Sequence, residues 1–180
     1  MLDFSKNYFE LFGLEPSYVI DSEQLSSRYR ELQRVVHPDR YAGASEQERR
    51  LSIQGSTLIN EAYSLLRDPV ARGRYLLELN GVDPDAGGET HDPAFLMEQI
   101  ELREELSEAR GHTDPYGVIS NIMTDINKRT KGLVGRMALC MEEGGEQDLL
   151  EAAELLRKMQ FLSKLQQDAG NLEAELDESL

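Results

Sequence analysis

The sequence predicts an all-α protein, and three observations predict it. The chain is rich in Glu, Leu, Arg and Ala, lacks Trp, and has few clusters of strand-favouring residues. Apolar residues recur at steps of three and four through most of its length, the period of a helix with one buried face. The breaks between these stretches hold the Asp, Ser, Pro and Gly residues that start and stop helices. At 180 residues and 39% hydrophobic content, one domain or two small ones can each bury a core.

The first element is "NYFELFGL", short and strongly apolar, closed by Gly13 after one or two turns. Asp21 opens "DSEQLSSRYRELQRVV", with Gln24 three residues on as a variant of the capping box. Leu25, Tyr29, Leu32 and Val36 share one face of that helix. Arg28, Arg30 and Arg34 lie off it, which gives the helix basic groups in solvent. The helix ends at His37, because a residue before proline is pushed out of helical geometry. After a loop through Gly43, Ser45 caps "SEQERRLSIQGSTLINEAYSLLRD". Its expected inward stripe is Leu51, Leu58, Ala62 and Leu65, with Gly55 an interior weak point costing about 1 kcal/mol against Ala. Asp68 and Pro69 start a further short helix that stops at Asn80-Gly81.

Residues 81–93, "GVDPDAGGETHDP", form a boundary with three glycines and two prolines. Three long helical patterns follow, at about 94–110, 114–142 and 147–176, two of them introduced by Asp92-Pro93 and Asp114-Pro115. Gly144-Gly145 separates the last two, and short turns predict an antiparallel three-helix bundle. The expected organisation is residues 1–79, a linker at 80–93, the bundle at 94–176 and a tail at 177–180.

The net charge of −15 is unevenly shared. Residues 1–80 hold ten Lys and Arg against twelve Asp and Glu, and residues 81–180 hold nine against twenty-two. Such a field repels phosphate, so nucleic acid is not expected as a partner. The acidic half provides solubility or a surface for a basic partner. Cys140 is the sole cysteine, which excludes an internal disulfide and a cysteine-cluster metal site, and its apolar neighbours predict a buried thiol. The N-terminus is charged and without a signal-like apolar run, and no stretch approaches the ~20 apolar residues needed to span a bilayer. The expectation is a cytoplasmic protein with no membrane partner.

His37-Pro38-Asp39, at the exit of the basic helix, is the one cluster with chemical possibilities. A catalytic His–Asp dyad needs a cleft and a nucleophile or second carboxylate, and neither neighbour is apparent. A metal site needs more ligands than His37 and Asp39 supply, and His91 and His112 lie in other segments. A simple helix stop, or a surface made for another protein to read, remains. No enzyme activity, metal or cofactor is expected.

A basic helix, His-Pro-Asp in its exit loop, then a partner helix bearing "INEAYSLLRDP" resembles a J domain over roughly residues 6–79. The matching residues include "NYFELFGL", "YRELQRVVHPDR", and Asn60, Glu61, Ala62, Tyr63, Leu66, Asp68, Pro69, Arg72 and Tyr75. The resemblance implies an antiparallel helix pair whose His37, Pro38 and Asp39 stimulate ATP hydrolysis in a DnaK-class chaperone. Pro38 would stiffen the loop, Asp39 offer a carboxylate to an arginine, and His37 donate a hydrogen bond. Arg28, Arg30 and Arg34 would face acidic groups of that ATPase, and Tyr29 matches the family's tyrosine in this helix, where it either packs or contributes to docking. Val36 stands where the family often has an aromatic residue.

The bundle carries a second pattern. With Phe95 at zero and 100° per residue, Leu102, Leu106 and Ala109 fall within about 40° of it as a core stripe. Leu96, Ile100 and Met97 fall at about 100°, 140° and 200°, with Glu104 at about 180°. This second apolar strip is either covered by another helix or a protein-binding patch. "DPAFLMEQIELREEL", residues 92–106, and "LRKMQFLSKL", residues 156–165, resemble the C-terminal domain of the HscB family, J-type co-chaperones of iron–sulfur cluster assembly. That resemblance implies a patch for an IscU-type scaffold protein, with Leu96, Met97, Ile100 and Phe161 as apolar contacts and Glu101 and Glu104 as the polar rim. It also implies an HscA-type ATPase as the chaperone partner. A J protein for a different client, or an enzyme using His37, are the other readings.

Overall fold

The computed structural model describes residue 3 and residues 5–41, 43–86 and 92–178, and of Pro38 only the backbone. The helices are α1 (Tyr8–Phe12), α2 (Ser22–Val36), α3 (Glu46–Arg67), α4 (Pro69–Leu79), α5 (Pro93–Ala109), α6 (Pro115–Glu143) and α7 (Glu146–Glu178), with a 3₁₀ turn at Pro38–Tyr41. No strand occurs among the described residues. The chain divides into two compact units, Met1–Leu76 and Leu77–Leu180. Residues 87–91 and 179–180, within the expected linker and tail, lie outside the described residues.

The caps of α2, α3, α5 and α6 stand where the sequence puts them, and Asn7 adds one at α1 that the sequence reading did not name. Asn7 with Glu10 and Ser45 with Glu48 form reciprocal capping boxes at α1 and α3. At α2 the Asp21 carboxylate accepts from the Glu23 and Gln24 amides at 2.8 and 3.2 Å. Gly13 and Gly144 end α1 and α6 at positive φ, where a side chain would strain the backbone.

In the first unit α2 and α3 pack together and α1 closes over them. Phe9, Phe12, Tyr18, Leu25, Val36, Ile59, Ala62, Leu66 and Leu76 form its core. Arg72 fastens the α1–α2 loop, donating through Nε to the Tyr18 carbonyl at 2.8 Å while its guanidinium lies over the Tyr18 ring. Burial pushes the Tyr18 hydroxyl up to about 12 and lowers the Arg72 guanidinium from its usual value.

The inward stripe of α3 differs from the expected one. Ser52, Gly55, Ile59, Ala62 and Leu66 are buried, whereas Leu51, Leu58 and Leu65 lie half-buried at the margins. The cause is the close approach of α2. A Cβ on Gly55 would sit 3.3 Å from Val36 Cγ1, so at that level the seam selects small residues, Ser52 and Gly55, and the Leu51–Leu58–Leu65 row turns to its margins. Gly55 costs helix propensity, and in return it admits Val36 to the core.

In the second unit α5, α6 and α7 run up, down and up. Tyr116–Asp177, Asn127–Gln166 and Arg136–Glu151 mark α6 and α7 as antiparallel. Asp92–Lys158 and Arg110–Glu175 mark α5 and α7 as parallel. The core joins Leu102, Leu106 and Ala109 to Ile119, Ile122 and Ile126 of α6 and Leu162, Leu165 and Ala169 of α7. Arg157 of α7 donates to the Pro84 carbonyl at 2.8 Å and thereby holds the segment before α5 against the bundle. Cys140 is buried, and desolvation followed by the Glu151 and Asp148 carboxylates raises its thiol above the ordinary value.

The split of α5 into a buried and an exposed strip sets the first prediction. Phe95→Ala and Leu102→Ala should each destabilise the protein by about 2–5 kcal/mol, since both empty core volume. Met97→Ala, on the exposed strip, should change stability by less than about 0.5 kcal/mol. Chemical denaturation of the full-length variants is the measurement, and equal losses for Phe95 and Met97 would contradict the division.

Candidate functional site

The His37-Pro38-Asp39 loop owes its geometry to how α2 stops. A proline at 38 has no N–H for the Arg34 carbonyl, and His37 turns out of the helix at ψ 126. The carbonyls left open are met by side chains. Arg40 Nη1 donates to the Arg34 carbonyl at 2.8 Å, and the Tyr41 hydroxyl to the Val35 carbonyl at 3.2 Å. Ser52 of α3 donates to the buried Val36 carbonyl at 2.6 Å, and the Arg40 amide to the His37 carbonyl at 3.0 Å. Four consecutive carbonyls are thus satisfied. The loop is held at both ends.

What this frame presents is open to solvent. The Asp39 side chain is 91% exposed, and its Oδ2 lies 3.6 Å from His37 Nδ1. The Asp39 amide donates to Nδ1 at 3.3 Å. With Nδ1 accepting, the neutral ring carries its proton on Nε2, the donor left for an outside acceptor. The loop therefore offers one carboxylate and one N–H side by side to solvent. No group of three or more His, Cys, Asp and Glu is placed to hold a metal ion among the described residues.

The basic face is less uniform than its sequence suggests. Arg28 pairs with Glu31 at 3.0 Å and stands about 120–160° around the helix from Arg30 and Arg34. Arg30 and Arg34, one turn apart, are exposed and form no ion pair among the described residues. Tyr29 sits half-buried in the α2–α3 seam, stacked on Tyr63 at 4.2 Å, with its hydroxyl donating to Asn60 Oδ1 at 2.9 Å. The structure therefore brings Arg30 and Arg34 together and sets Arg28 and Tyr29 apart from them.

On α5 the second strip is exposed. Leu96, Met97 and Ile100 are 38%, 59% and 50% accessible, with Glu101 and Glu104 exposed beside them. Phe161 of α7 is half-buried, edge-on to Phe95 at 5.6 Å, with the Arg103 guanidinium 5.1 Å above its ring. Arg103 lies at about 80° on α5, next to Leu96 and Ile100, so Phe161 belongs to both the core and the rim of the strip. Met97 and Glu101 also border an open groove of about 540 Å³ walled by Arg129, Gly132, Leu133 and Lys158. Residue spacing along α5 gave no sign of that groove, because its far walls come from α6 and α7. Ser52, Arg40 and Tyr41 also escaped the sequence reading, since each acts on a backbone carbonyl and leaves no motif.

Comparison with known proteins covers nearly all of the chain. Residues 7–75 match the family model of the DnaJ domain, and residues 91–170 that of the HSCB C-terminal oligomerisation domain. The co-chaperone protein HscB homolog of Shewanella woodyi is 40% identical over 173 residues, spanning 96% of this chain and 99% of the relative. The solved chaperone HscB from Vibrio cholerae superposes with a TM-score of 0.82 at 37% identity, covering 95% of this chain and 99% of the other. Human co-chaperone protein HscB gives a TM-score of 0.85 at 31% identity, covering 95% and 84%.

The carbonyl network yields a prediction of its own. Ser52→Ala should leave the Val36 carbonyl buried without a donor, at a cost of about 1–3 kcal/mol. Amide exchange at Asp39 and Arg40 should speed up at the same time. Unchanged exchange in the loop would show that the Ser52 bond does not hold it.

Proposed function

The chain belongs to the HscB family of co-chaperones, and from that premise we propose that it delivers an IscU-type iron–sulfur scaffold protein to an HscA- or DnaK-class ATPase and stimulates ATP hydrolysis there. A J domain implies a chaperone ATPase of that class as partner. The finer assignment, to cluster assembly and to a scaffold client, is supported by one observation above the others. A single chain carries an exposed His-Asp loop in one unit and an exposed apolar strip rimmed by glutamates in the other.

In this reading residues 1–79 are the J domain, 80–93 the linker and 94–176 the scaffold-binding bundle. Asp39 takes an arginine of the ATPase in a charge-assisted contact, and His37 Nε2–H adds a donor beside it. Pro38 keeps helix α2 from running on through the loop. Arg30 and Arg34 speed encounter with acidic groups of the same partner, with Arg28 and Tyr29 as outlying and supporting members of the face. Leu96, Met97 and Ile100 are withdrawn from water by the scaffold, Phe161 closes the strip, and Glu101 and Glu104 fix orientation at its rim. Holding both partners in one chain raises the effective concentration of scaffold at the ATPase. The chain contributes no catalysis itself and works in the cytoplasm. Among the described residues no helix is long and apolar enough to cross a membrane.

His37→Gln should leave the fold intact and abolish stimulation, because the ring is exposed and the loop is framed by other residues. Single-turnover ATP hydrolysis by the chaperone, with and without the variant, is the measurement; undiminished stimulation would overturn the assignment.

Met97→Ala with Ile100→Ala should weaken scaffold binding without lowering thermal stability. Each side chain is about half covered already, so binding removes only the remainder from water, about 0.8–1.5 kcal/mol apiece. The pair should then cost roughly tenfold to a hundredfold in affinity by calorimetric titration. Phe161→Ala should lose both affinity and stability, since its ring also packs on Phe95. Wild-type affinity in the double variant would shift the reading toward a J protein for a different client.

A further inference from the structure

One notch in the first unit is lined by Arg30 and is otherwise without a part in the roles above. It encloses about 460 Å³ between α2 and α3, and is walled by Ser22, Glu23, Ser26, Arg30, Tyr63 and Arg67. Its back wall is fixed: the Ser26 and Tyr63 hydroxyls lie 3.2 Å apart, and the Tyr63 ring is stacked on Tyr29. Arg30 and Arg67 reach it from different helices. Neither forms an ion pair among the described residues, whereas Arg28, Arg50, Arg110, Arg129, Arg136 and Arg157 all do. Arg34, Arg40 and Arg49 also form no ion pair among the described residues, and what sets Arg30 and Arg67 apart is that both wall one concave notch. The single carboxylate on its wall, Glu23, is paired with neither.

We propose that this notch receives a carboxylate from an acidic segment of the ATPase partner, with Arg67 of α3 as a docking residue alongside Arg30. The proposal rests on the reading that the chain stimulates such an ATPase. Two guanidinium groups around a concave site suit a carboxylate, which a fork of N–H donors grips at both oxygens. With Ser26 donating its hydrogen to Tyr63, the Tyr63 O–H is left to donate to an incoming oxygen as a third donor. The position also suits a single partner. Arg30 and Arg34 lie one turn apart on α2, and about 10 Å of helix separates Arg30 from the His37 loop. An acidic surface that meets the loop extends past Arg34 to the notch.

The ordinary role for Arg67 is different: in the last turn of α3 it complements the negative end of the helix dipole. That role predicts lower stability on substitution and no effect on docking. The test uses full-length protein and the HscA- or DnaK-class ATPase of the same organism, with Arg67→Glu, Arg67→Gln and His37→Gln compared to wild type. Arg67→Glu should raise the concentration needed for half-maximal stimulation about tenfold and Arg67→Gln about threefold, with the melting temperature within about 2 °C of wild type. Half-maximal concentrations unchanged in both Arg67 variants, whether or not the melting temperature falls, would overturn the notch and leave the parent reading standing as long as His37→Gln abolishes stimulation. A wild-type protein that fails to stimulate would overturn both.

Discussion

Four carbonyls at the end of α2, from Arg34 to His37, set the constraint on which the loop and its neighbours depend. A proline at position 38 removes the amide that would have bonded Arg34, and the turn that follows denies the next two carbonyls their helical donors. Left open, the exposed ones would be hydrated and the loop free to fray, and the buried Val36 carbonyl would have no donor. Arg40, Tyr41 and Ser52 supply donors instead, and two of these belong to the 3₁₀ turn that the loop itself forms. The same residues that cap the helix therefore set the direction in which His37 and Asp39 project. Ser52 extends the effect to α3, because its bond to the Val36 carbonyl requires the two helices to approach as closely as Gly55 allows.

That close approach accounts for the parts of the fold that were and were not legible. Most helix ends were read almost to the residue, since Asp21, Ser45, Asp92 and Asp114 bond their own helix starts within three residues. The two strips of α5 were equally legible, because 100° of rotation per residue is a local property. The inner face of α3 was not. Its periodicity admitted both the Leu51–Leu58–Leu65 row and the Ser52–Ile59–Leu66 row, and hydrophobicity favoured the first. The choice fell to Gly55 meeting Val36 across the seam, a contact between residues 19 apart in the chain. The carbonyl donors and the Arg67 notch share that origin, for each needs two helices placed before it exists.

Charge is organised differently in the two units. In the bundle, arginines are spent on neighbours: Arg110, Arg129, Arg136 and Arg157 each hold a carboxylate. Such exposed pairs contribute little stability apiece, yet they leave few cations to attract an acidic partner. In the first unit Arg30, Arg34 and Arg67 form no ion pair among the described residues, along one side of α2 and the end of α3. The chain as a whole is strongly acidic, so its long-range field would repel an acidic ATPase surface. Screening within about 10 Å at 0.1 M salt confines that repulsion, and a local row of cations then governs the approach.

The proposed pair of contacts follows from this division. A contact made by exposed cations gains speed and specificity but little affinity, and it weakens as salt rises. A contact made by Leu96, Met97 and Ile100 gains affinity from water release and responds weakly to salt. A delivery protein needs both kinds. The client must stay bound while the ATPase is met, which asks for slow dissociation from the apolar strip. The ATPase must be met quickly and left after hydrolysis, which asks for a contact dominated by charge. Placing the two proposed contacts on separate compact units lets each be altered alone.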